Sequence, residues 1–160
     1  MNSAKANPLP ELQPGDILLY GGGLIGWLIE LRTWSDVSHV EIYIGNGRSL
    51  ASRAHGPREY PMNIMGLRRV IRPVAPFVLS GGLAWFEDIA SRLPYGYFDL
   101  ARFYLINVPT RGLICSEFAD LFFRKCLLPL FNPKYPEGAV CPRDYETLSP
   151  LLAKQIWSAL

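Results

Sequence analysis

The stretch Ser38-His39-Val40-Glu41-Ile42-Tyr43-Ile44, followed by Gly45-Asn46-Gly47-Arg48, constrains the fold more than any other part of the chain. Apolar and polar residues alternate along it, and successive side chains of a strand point to opposite faces. Val40, Ile42 and Ile44 therefore share a face that needs a core, while His39, Glu41 and Tyr43 share one that is chemically equipped. Asn-Gly between such runs marks a two-residue turn, because both central positions take positive φ. Pairing Gly45 with Arg48 and counting outward sets Ser52 opposite Glu41 and Ala54 opposite His39. Ser52 then joins the polar face.

Residues 1–14 carry Pro8, Pro10 and Pro14 with little periodicity and read as an extended N-terminal arm. Residues 15–160 are expected to form one domain, since 160 residues is near the usual size of a domain with its own core. Gly15-Asp16 leads into a short buried strand, Ile17–Tyr20. Leu24, Trp27, Leu28 and Leu31 then recur at helical spacing, which predicts a helix over Leu24–Trp34. Gly21-Gly22-Gly23 lacks the Lys-Ser/Thr of a phosphate loop. His55–Pro61, with Gly56-Pro57, reads as a loop and Arg68–Pro73 as a strand. Leu83, Phe86, Ile89 and Ala90 mark a helix ending before Pro94, and Tyr95–Ile106 reads as another. Cys115–Leu128, a loop through Pro142 and a last helix over Ser149–Ala159 complete the reading.

The chemistry concentrates on Cys115 and His39. A thiol attacks as its thiolate, and the positive end of a helix together with a neighbouring imidazole lowers its pKa. Cys115 stands at a helix start, after the break Pro109-Thr110-Arg111-Gly112 and before the apolar stripe Phe118, Ala119, Leu121, Phe122 and Cys126. Contact with His39 would be tertiary, as nucleophile and base are in cysteine enzymes. Glu41 on the same strand face and Ser52 on the next strand are the candidates for orienting the imidazole. Cys126 lies three helical turns beyond Cys115, about 16 Å away, and reads with Cys141 as a small core residue. His55, in its Gly-Pro loop, reads as structural.

Gly15-Asp16-Ile17-Leu18, then Ser38-His39-Val40-Glu41-Ile42-Tyr43-Ile44-Gly45, and later Ile114-Cys115-Ser116-Glu117-Phe118 resemble the circularly permuted branch of the NlpC/P60 papain-like superfamily, the YaeF/YiiX-like amidases. The resemblance runs from about Gly15 to Lys125, and its mark is order: histidine precedes cysteine. It implies an α+β, permuted papain-like fold, an antiparallel sheet packed against helices with the nucleophile at a helix N-terminus. It also implies Cys115 as nucleophile and His39 as base. In related branches the third, polar position falls on the next strand, near Ala51-Ser52; Glu41 is preferred because a carboxylate stabilises an imidazolium better than a hydroxyl does. The implied function is a cysteine hydrolase that cleaves a peptide or aminoacyl amide through an acyl-enzyme. Cell-wall peptides are one substrate class. A related branch transfers fatty acyl groups, so a lipid or acyl ester hydrolase or acyltransferase stays open, as does a non-catalytic papain-like module.

Three cysteines cannot all pair internally, and none has zinc-site spacing, so free thiols and no metal or cofactor are expected. Their reduced state fits a cytoplasmic protein. No secretory signal or membrane-spanning stretch stands out; a phage-borne or otherwise delivered enzyme would need neither. With net charge +2 and 49% hydrophobic residues, a peptide or acyl substrate is the expected partner, with peripheral lipid contact open. Arg68-Arg69 and Arg72 read as a solvated edge and not as a nucleic-acid surface.

Overall fold

A computed structural model describes residues 8–22, 35–94, 114–131 and 140–159. The helices read over Leu24–Trp34 and Tyr95–Ile106 lie outside these residues. The architecture is α+β. Six strands form one antiparallel sheet: β1 (Ile17–Tyr20), β2 (His39–Gly45), β3 (Arg48–Arg53), β4 (Gly56–Pro61), β5 (Leu67–Pro73) and β6 (Ala153–Ser158), in the spatial order β4-β3-β2-β1-β5-β6. Helices α1 (Leu79–Asp88) and α2 (Cys115–Lys125), with short 3-10 turns at Ala90–Arg92 and Pro142–Thr147, make up the helical part.

Alternation along the strands explains the layering. Ile17, Leu19, Val40, Ile42, Leu50 and Ile71 point toward the helices and pack with Phe118, Ala119, Phe122 and Phe123 of α2. The opposite face is also covered. Leu18, Tyr20, Leu67 and Val70 form a second cluster there with Leu12, Tyr43, Met62, Ile156 and Trp157. Helix α1 approaches α2 through Gly81 and Gly82, where a Cβ would lie 2.4 Å from the Lys125 carbonyl oxygen and 2.5 Å from Cys126 Sγ respectively.

The turn after β2 holds Asn46 at φ 51 and Gly47 at φ 68, with Gly45 paired to Arg48, as Asn-Gly demands. Immediately beyond it the register slips. Tyr43 pairs with Ser49 and Ile42 with Leu50, so Ile44 is an extra residue on β2. A one-residue bulge turns every following side chain of the partner strand to the other face. Carried on, the ladder sets Ala51 beside Glu41 and Arg53 beside His39. Ser52 is therefore not on the face of Glu41: it lies fully buried on the helix side.

Two segments differ from their sequence reading. His55–Pro61 was expected as a loop, yet Gly56–Pro61 is strand β4, paired residue for residue with β3. Proline lacks the ladder donor but is tolerated at a sheet edge, and β4 is the edge. The last helix, expected over Ser149–Ala159, is instead strand β6 on the free edge of β5. There Ile156 and Trp157 pack on the second cluster while Leu151 stays 83% exposed. Tertiary pairing to an open edge overrides a weak helical period. Helix α2 also stops at Lys125 and not at Leu128: Leu127 turns left-handed at φ 62, and the Leu128 and Leu127 N–H groups bond back to Phe123 and Arg124 carbonyls at 2.9 and 3.1 Å, which is a Schellman ending. No helix among the described residues is long and apolar enough to cross a membrane.

Candidate active site

Two local features set up the site. Ile114 is extended, at φ −77 and ψ 167, and Cys115 is the first residue of α2, so its side chain lies at the positive end of an 11-residue helix. The Ile114 N–H donates to Glu117 Oε2 at 3.2 Å, which satisfies one amide of that first turn. The helix start is further held from the C-terminal side. Ser116 Oγ donates to the Val140 carbonyl at 2.5 Å, and Tyr145 Oη, itself fully buried, donates to the Ser116 carbonyl at 2.9 Å.

His39 opens β2, opposite Tyr20 at the end of β1. Register puts it on the face away from α2, but as the first residue of its strand it stands at the sheet's limit, where the helix layer can reach it. The structure brings the two into electrostatic range: the Cys115 thiol and the His39 imidazole each shift the other's titration, and the backbone amides of Val40 and Ser116 act on the sulfur as well. The described β2–β3 ladder ends at Ile42–Leu50, so the Val40 amide lies beyond it. The imidazole Nε2 meets Glu41 Oε1 at 3.1 Å. Cys115, His39 and Glu41 thus form one connected chain.

The electrostatics follow from that connection. Burial opposes the charged form of Cys115, but the His39 imidazolium, its hydrogen bond and the two backbone amides hold the thiol below its ordinary value. Burial likewise works against a charged His39. The Cys115 thiolate and the Glu41 carboxylate outweigh it and raise the imidazole to about 9. Glu41, fully buried, would be pushed up by desolvation, yet His39, Ser49 and Arg53 hold it down to about 2. In contrast, burial pushes Cys126 and Cys141 up to about 11. The three thiols are free, and Cys115 is the one held below its ordinary value.

Three neighbours escaped the sequence reading. Ser49 Oγ donates to Glu41 Oε2 at 2.6 Å, and Arg53 binds Glu41 Oε1 through Nε at 3.1 Å and through Nη2. Tyr20 sets its ring 6.3 Å from that of His39, and its buried hydroxyl has no hydrogen-bond partner among the described residues. Burial and the Glu41 charge keep it a neutral phenol. The glycine ahead of Asn46-Gly47 is the one signal that could have warned of the bulge, and hence of Ser49 and Arg53.

The remaining candidates lie elsewhere. Ser52, an alternative third group, faces the helix side, away from Glu41. His55 is exposed in the β3–β4 turn, where its carbonyl accepts from Arg58 Nε at 3.3 Å. Among the described residues no group of three or more His, Cys, Asp or Glu is placed to hold a metal ion. Of the basic patch, Arg68 alone is exposed. Arg69 pairs with Asp36 and Glu146 at 2.6 and 2.8 Å, and Arg72 grips buried Asp16 at 2.8 and 2.7 Å; these two arginines are structural ties and not a solvated edge. No family model and no curated protein matches the chain.

Proposed function

We propose that the protein is a cysteine hydrolase that cleaves an amide through an acyl-enzyme, with the permuted papain-like arrangement of the NlpC/P60 superfamily. The observation that carries this reading is the chain from the Cys115 sulfur through the His39 ring to the Glu41 carboxylate, with the thiol depressed and the imidazole raised. The resemblance in order and motif, histidine strand before cysteine helix, supports it. Such a pair rests as thiolate and imidazolium at neutral pH.

The thiolate of Cys115 adds to the amide carbonyl carbon, and amides at the start of α2 stabilise the oxyanion. His39 passes its proton to the departing nitrogen as the C–N bond breaks, leaving a thioester on Cys115. His39, now neutral, takes a proton from water. The resulting hydroxide displaces the acyl group as an acid, and the thiolate returns. Glu41 keeps the imidazole oriented throughout and offsets its positive charge.

Iodoacetamide at neutral pH tests the ground state. Cys115 is expected to label at least about tenfold faster than Cys126 and Cys141, and His39→Ala to remove most of that advantage. A screen of peptidoglycan fragments, aminoacyl amides and short acyl esters, comparing wild type with Cys115→Ala, then tests turnover. Slow, equal labelling of all three thiols, or turnover that survives the substitution, rejects the proposal. Turnover of esters alone shifts the substrate class from amides to acyl esters.

A further inference from the structure

Glu41 is fully buried, and burying a carboxylate costs heavily unless charge and hydrogen bonds compensate. Its acceptors are divided unevenly. Oε2 receives Ser49 Oγ alone, whereas Oε1 receives His39 Nε2 and both Nε and Nη2 of Arg53. The guanidinium is held from a second direction, its Cζ lying 4.2 Å over the centre of the Tyr60 ring, in range of a cation–π contact.

We propose that Arg53 is a positioning residue for the Cys115–His39 pair: its guanidinium, fixed on the Glu41 carboxylate, completes an alternating chain of four charges that lets the Cys115 thiolate persist beside an imidazolium and a buried carboxylate. This rests on the hydrolase reading and extends it by one residue. With Arg53 present the chain runs thiolate, imidazolium, carboxylate, guanidinium, and sums to zero. Without it, two buried anions flank one cation. The imidazolium is then held more tightly by its carboxylate, while the thiolate lies in a more negative field and forms less readily. The groups around Glu41 are His39 on its own strand, the neutral phenol of Tyr20 from β1, Ser49 and Arg53 from β3, and Cys115 of α2 beyond the imidazole. Of these Arg53 alone brings a fixed positive charge. Its side chain is 40% exposed, so a neutral replacement leaves no cavity in the core.

The chain contains only two histidines, so their ring signals can be titrated by NMR on the intact protein, with His55→Gln giving the assignment. In Arg53→Gln, and in Arg53→Met as a second neutral variant that keeps the stem over Tyr60, the His39 midpoint is expected to rise by about half a pH unit or more. The pH at which Cys115 becomes alkylatable should rise with it. Arg53→Lys should keep both near wild type. A residue that merely props the strand gives the opposite sign, because loosening Glu41 drops the His39 midpoint toward the ordinary imidazole range. A fall or no change in the neutral variants overturns the inference. The histidine titration needs no substrate, so it can fail while the Cys115→Ala screen succeeds, and the reverse.

Discussion

Glu41 makes a stability statement that can be read against pH. Its folded value of about 2 lies below the ordinary 4.5, so its contribution is fully present above about 4.5 and is lost as pH falls toward 2. Glu41→Gln is expected to cost about 2 kcal/mol at pH 7, with the gap to wild type closing through that acid window in urea melts. The same substitution should lower kcat/KM at least about tenfold, since the imidazole loses both its orienting group and its counter-charge. His39 carries the opposite sign. Raised to about 9, it keeps its proton at neutral pH and surrenders it as pH rises through that value, so the proposed hydrolase activity should have its alkaline limb there. An alkaline limb near the ordinary imidazole range would count against the coupling of His39 to Cys115 and Glu41.

At the scale of elements, α2 does two jobs with its two ends. The N-terminus presents Cys115 to His39, and the C-terminus must leave the helix axis sharply so that Leu128 and Leu130 can return to the core. The Schellman ending does this with a leucine at the left-handed position, where glycine is the usual occupant. Leu127 is 74% exposed and so contributes little packing, while its φ of 62 strains an L side chain. Leu127→Gly should therefore stabilise the protein by about 0.5–1 kcal/mol, the relief of strain outweighing glycine's extra freedom when unfolded. A lower melting temperature in this variant would show that the exposed leucine packs against something. The glycines of α1 work in the other direction: Gly81 and Gly82 let two backbones meet where any side chain would collide.

At the scale of the whole molecule, the sheet is covered on both faces, and the site lies at its end, where β1 stops and β2 and β5 begin. One tie fixes the entry to β1: buried Asp16 accepts from Arg72 of β5 and from the Gln13 N–H at 2.8 Å. Asp16→Asn should cost about 3 kcal/mol, because it strips Arg72 of its counter-charge. An unchanged urea midpoint would show that pair to be dispensable. What the sequence alone determined was local: the alternation that gives β2 its two faces, the Asn-Gly turn, the stripe of α2 and the helix start at Cys115 each follow from a few neighbouring residues. Edges were not legible, since β4 with its prolines and β6 with its helical period become strands only because β3 and β5 offer unpaired backbone. Nor were Ser49 and Arg53, because one extra residue at Ile44 turns β3 over and carries Ser52 to the far face. The tertiary structure alone decided that Cys115 meets His39, for no local pattern sets how a helix end docks against the first residue of a distant strand.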